Sequence, residues 1–79
     1  MTQEEALAWI VQLFEEAPDR ISLATPRTDV PAWDSLGVLS LMAGLDETFG
    51  IVANGAELNR MQSVGEILEM LRTHGKVSN

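Results

Sequence analysis

Apolar residues recur in this chain at the spacing of a helix, and nowhere with the period of two that a half-buried strand requires. Leu7, Ile10, Val11 and Phe14 stand at i, i+3, i+4 and i+7, and Val64, Ile67, Leu68 and Leu71 repeat that spacing. Thr2 with Glu5 heads the first stripe and Ser63 with Glu66 heads the last. Each pair is a capping box, in which hydroxyl and carboxylate satisfy backbone N–H groups that a helix start leaves unpaired. The pattern predicts helices over 3–16, ending before Pro18, and over 63–73. Trp9 lies off the first stripe and is expected to be half-buried.

A second helix is predicted over 34–49, with Asp34 as N-cap and Gly50 as its left-handed stop. That cap makes Trp33 and Val38 the two positions of a hydrophobic staple, while Gly37 stands where a capping box needs Glu or Gln. On a wheel advancing about 100° per residue, Val38, Leu41, Met42, Leu45 and Phe49 cluster as the core face. Leu36, Ser40, Ala43 and Glu47 lie opposite, with Asp46 at their edge. The segment 17–33 holds all three prolines and reads as a long ordered loop pinned by Ile21, Leu23 and Val30. Loops of that length are uncommon in small domains and often functional. After Gly55 a short helix is predicted over 56–60, and 75–79 is expected to fray. The fold class expected is all-α: one domain over 1–79, a small four-helix bundle of three main helices and one short one.

With 79 residues the chain is near the lower size limit for an unaided core, but 46% of it is hydrophobic. It has no cysteine, which excludes disulfides, thiolate metal sites and a cysteine nucleophile. The single histidine, His74, falls near the expected frayed end, the acids lack calcium-loop spacing, and Ser35 lacks the Gly-x-Ser-x-Gly elbow of serine hydrolases. No catalytic residue and no metal site are expected. Met42, Met61 and Met70 read as core residues, with Met61 also a candidate flexible gate. Twelve acidic residues against five basic ones give a formal net charge of −7, which repels nucleic acid and anionic membranes. From Thr28 to Asn59 there is no Lys or Arg, while Asp29, Asp34, Asp46, Glu47 and Glu57 are acidic. Such a stretch either attracts basic partner surfaces or only keeps the protein soluble. The first residues are acidic where a signal peptide is basic, and no apolar run approaches the roughly 20 residues of a membrane helix. These features predict a soluble, cytoplasmic, monomeric protein without membrane insertion.

Ser35 falls at the first position of the second helix. Unpaired N–H groups and the helix dipole favour an anion there, so a phosphate attached to its hydroxyl meets a favourable field. Asp-Ser pairs also open many helices simply as caps, and the tripeptide Asp34-Ser35-Leu36 alone leaves both readings open.

The wider pattern resembles the acyl carrier protein family, including peptidyl and D-alanyl carriers, over essentially the whole chain. A first amphipathic helix and a long loop are followed by Asp34-Ser35-Leu36, then Leu41, Met42, Leu45, Phe49-Gly50-Ile51 and Ser63-Val64, without a gap in spacing. The resemblance implies that Ser35, flanked by Asp34 and Leu36, receives a 4′-phosphopantetheine arm from coenzyme A through a phosphopantetheinyl transferase. The arm's thiol would carry intermediates as thioesters, so the chain would be a carrier and not an enzyme. The partners implied are an acyl- or aminoacyl-loading ligase or transferase, condensing or modifying enzymes, and a thioesterase. Leu36, Ser40, Ala43, Asp46 and Glu47 would form the docking strip, and Leu41, Leu45, Met61 and Ile67 an acyl pocket. Fatty-acid-synthesis carriers usually place an acid directly after Asp-Ser-Leu and another a few positions on, where this chain has Gly37 and Ser40. That departure, with Trp33 before the motif and Val38-Leu39 after it, points to a specialised polyketide, peptide or lipid-related pathway in place of housekeeping fatty acid biosynthesis. The alternatives are a peptidyl or aminoacyl (including D-alanyl) carrier, or an unmodified acidic adaptor that docks proteins.

Overall fold

Helix α1 (Gln3–Phe14) starts where Thr2 and Glu5 exchange bonds: Glu5 N–H donates to Thr2 Oγ1 at 3.1 Å, and Thr2 N–H donates to Glu5 Oε1 at 2.8 Å. This is a computed structural model, and it describes residues 1–78. The helix ends two residues short of the expected 16. Glu15 turns left-handed at φ 54°, and the N–H groups of Glu15 and Glu16 fold back to the carbonyls of Gln12 and Val11. Those two bonds are a Schellman motif built without glycine. Ala6, Ile10 and Phe14 carry the core face, while Leu7 and Val11 are only partly buried. Trp9 is half-buried as expected, edge-on to Phe49 at 4.9 Å and donating its indole N–H to Thr48 Oγ1 at 3.3 Å.

Helix α2 (Ser35–Phe49) buries Val38, Leu41 and Leu45, with Met42 and Phe49 packed beside them. Gly50 closes it at φ 68°, the left-handed conformation that glycine adopts without a Cβ penalty. The short α3 (Gly55–Arg60) contributes Leu58 to the core. Helix α4 (Val64–Thr73) is opened by Glu66, whose Oε2 accepts from Ser63 N–H at 3.0 Å and also from Gln62 N–H. Its buried residues Val64, Ile67, Leu68 and Leu71 are the stripe read from the sequence. Among the described residues the four helices form an all-α bundle without strands.

The segment 17–33 is ordered by backbone pairing and not by its apolar side chains alone. Turns of 3-10 helix occupy Pro18–Arg20 and Arg27–Asp29. Between them the chain lies against the start of α4: Gly65 N–H donates to Leu23 O, Val64 N–H to Thr25 O, and Arg27 N–H to Gln62 O. Ile21 and Val30 are buried as expected, but Leu23 is 40% exposed. Its contribution to anchoring is its carbonyl, because Gly65 needs an acceptor there. Thr25 is the buried side chain in its place, its hydroxyl accepting from Ser22 N–H at 2.8 Å.

The fraying expected for 75–79 is corrected over 75–78, and Asn79 lies outside the described residues. Gly75 is left-handed at φ 74°, Lys76 N–H folds back to Leu71 O, and Val77 is buried. Ser78 N–H then donates to Met1 O at 3.0 Å, while the Met1 ammonium donates to Lys76 O at 3.0 Å. Burial of the apolar Val77 favours this docking, and the bonds to Met1 tie the tail to the opposite end of the chain.

Candidate functional site at the start of α2

Asp34 is the N-cap of α2. Its Oδ1 accepts from Gly37 N–H at 2.9 Å and its carbonyl accepts from Val38 N–H at 2.9 Å. The cap places Ser35 at the first helical position, exposed to solvent, and no described group hydrogen-bonds its hydroxyl. The hydroxyl therefore has no protein hydrogen bond to give up before it reacts, at the helix end that favours an anion. Trp33, directly before the cap, is buried and stacked on Phe14 with ring centroids 5.6 Å apart. Ser35 thus opens the helix one residue after its cap and two after a buried aromatic anchor.

Two clefts flank this position. On one side a shallow groove of about 300 Å³ runs from Ser35 between α2 and α3, lined by Val38, Leu39, Met42, Gly55, Ala56 and Asn59. On the other a cleft of about 340 Å³ faces α1, lined by Leu13, Phe14, Ala32, Asp34, Leu36 and Gly37 among others. The first could receive the near part of a flexible tether; its walls are mostly apolar, with the polar Asn59 at one edge.

Leu36, Ser40, Ala43, Asp46 and Glu47 are all exposed, as the helical wheel required, and Leu36 is 72% exposed. Leu39 belongs with them at 60% exposure, beside the groove. In sequence it follows Val38, but the wheel sets it near Leu36. Leu41, Leu45, Met61 and Ile67 do come together in one core, the first, second and fourth fully buried and Met61 at 8% exposure. None of the four lines the groove beside Ser35. Met61 instead faces, with Met70, a separate cleft of about 410 Å³ between α3 and α4. His74 lines that same cleft, on a different surface from the Ser35 groove.

Two further residues, Gly37 and Arg27, shape the surroundings of Ser35. A Cβ built on Gly37 would lie 2.0 Å from the Ala32 carbonyl oxygen, so the loop passes hard against the first turn of α2. Arg27 reaches across the site: its Nε donates to Trp33 O at 3.0 Å and its Nη1 to Asn59 O at 2.6 Å. Its guanidinium also lies over the Trp33 ring, 5.4 Å from the centroid. The one hint in the sequence is its place at the edge of the stretch that lacks basic residues.

No protein-family model matches the chain, and no curated protein matches it significantly. Among the described residues, no helix is long and apolar enough to cross a membrane.

Proposed function

We propose that the chain is a carrier protein that holds biosynthetic intermediates on a 4′-phosphopantetheine arm attached to Ser35. The observation that carries this reading is the exposed Ser35 hydroxyl at the capped start of α2, engaged by no described protein group, with an apolar-walled groove leading from it. The residues fit such a group. Ser35 offers the attachment oxygen, Asp34 fixes the turn that presents it, and Val38, Leu39 and Met42 offer apolar contact along the groove. When bound, the arm supplies the terminal thiol on which cargo is held as a thioester, a group this cysteine-free chain lacks.

The exposed strip Leu36, Ser40, Ala43, Asp46 and Glu47 is the docking surface in this reading, widened by Leu39. Its acids stand in a stretch without Lys or Arg, which suits basic surfaces on a phosphopantetheinyl transferase, a loading enzyme, modifying enzymes and a thioesterase. Burial of Leu41, Leu45, Met61 and Ile67 in a closed core means that cargo would enter only as the helices part. The close contact at Gly37 leaves no room for an acid directly after Leu36, and this supports a dedicated pathway with its own partners over housekeeping fatty acid synthesis. A cytoplasmic, monomeric carrier fits the reading.

The test is incubation of the unmodified protein with coenzyme A and a promiscuous phosphopantetheinyl transferase, read by intact mass. One addition is expected, absent in Ser35→Ala. An unchanged wild-type mass would favour an unmodified acidic adaptor.

A further inference from the structure

Helix α3 has six residues, and a helix this short does not persist in water by its own hydrogen bonds. Three anchors hold it against the bundle. Leu58 is buried in the core, and Gly55 packs so closely on Met42 that a Cβ there would sit 3.2 Å from the sulfur. The third is Arg27, whose guanidinium takes the Asn59 carbonyl near the end of α3 and the Trp33 carbonyl just before α2.

Asn59 lines the α3 side of the groove that begins at Ser35, and Trp33 stands two residues before Ser35 on the α2 side. One planar cation with several donors spans both carbonyls, and charge-assisted bonds of this kind are the stronger class. Arg27 is itself fixed, because its N–H donates to Gln62 O at 2.8 Å and its side chain rests on the buried Trp33 ring. We propose that Arg27 is a latch on the α2–α3 groove: its bridge between Trp33 and Asn59 holds α3 closed, and releasing Asn59 lets α3 move away from α2. Parting at this seam would uncover Val38 and Met42 on α2 and the buried Leu58 of α3. The use of that opening for cargo rests on the carrier reading, whereas the closure itself does not.

Amide hydrogen exchange on the unmodified full chain tests the latch. The Leu58 and Met61 amides, which bond to Asn54 and Leu58, report on α3. In Arg27→Gln these amides should exchange about tenfold faster or more, as loss of a hydrogen bond to a charged group implies. The core amides of α1 and α4 should change far less, a separation that general destabilisation would not produce. Arg27→Lys, which keeps the charge but reaches fewer acceptors, should fall between, and it carries the comparison if Arg27→Gln does not fold. Exchange in α3 that matches wild type, or that rises only in step with α1 and α4, overturns the latch. A wild type that takes no arm on Ser35 sinks the carrier reading and leaves the latch standing; a modified Ser35 with an unresponsive α3 sinks the latch alone.

Discussion

The carbonyl oxygen of Ala32 lies against Gly37 so closely that a single added methyl carbon would meet it at 2.0 Å. The loop and the first turn of α2 are therefore packed as one piece, and Gly37 is the residue that lets them meet. Gly37→Ala should displace this contact and lower stability by about 1–3 kcal/mol, the usual cost of overpacking. For a domain of this size each kcal/mol moves the melting temperature by about 4–8 °C. Modification of Ser35 should slow as the turn under it shifts. A thermal melt indistinguishable from wild type would show that the loop yields freely.

Surface recognition should separate from folding. Leu36 is 72% exposed and Glu47 is also exposed, so Leu36→Ala and Glu47→Lys should leave stability within about 0.5 kcal/mol of wild type. Both should slow arm transfer or cargo loading. Wild-type rates for both variants with every partner tried would remove the docking strip from α2.

Leu45 is fully buried between the helices. Leu45→Ala should cost about 2–5 kcal/mol, because the lost contacts leave a cavity that the bundle fills only in part. Chemical denaturation measures this directly, and a loss under about 1 kcal/mol would mean that the core collapses around the smaller side chain.

Glu5 should give the protein a small acid-sensitive component of stability. Its carboxyl is held below the ordinary value of 4.5 chiefly by the Thr2 backbone N–H, with the Thr2 hydroxyl adding to the effect. Since the folded value is the lower one, this contribution is complete above about pH 4.5 and is lost as pH falls through the folded value. Wild type should therefore melt above Glu5→Gln at neutral pH, with the gap narrowing as pH falls below the ordinary carboxylate value and through the folded one. A gap of constant size across that range would assign the difference to something other than ionisation.

The helices were readable because their determinants are local. Thr2 with Glu5, Ser63 with Glu66, and Asp34 before Ser35 act within four residues, and the apolar stripes repeat within each helix. The exposed face of α2 followed from geometry alone. What escaped notice depends on distant contacts. Arg27 finds its acceptor at Asn59, 32 positions along the chain, and nothing in its neighbourhood marks that partner. Leu23 reads as an apolar anchor, yet the loop is held there by a backbone bond to Gly65, and main-chain pairing leaves little trace in side-chain pattern. The tail reads as frayed from its own residues, whereas the bonds that dock it reach Met1 at the opposite end of the chain.

Thermal loosening in most small domains starts at the extremities, where a chain has neighbours on one side only. Here Met1 and Ser78 strap each other down, so the first turn of α1 and the exit from α4 share one fate. With both ends tied, the stretch expected to loosen first on heating is the α2–α3 connection, where Val52 is 88% exposed. A protease probing the warm native protein should accordingly nick it there first and leave both ends intact.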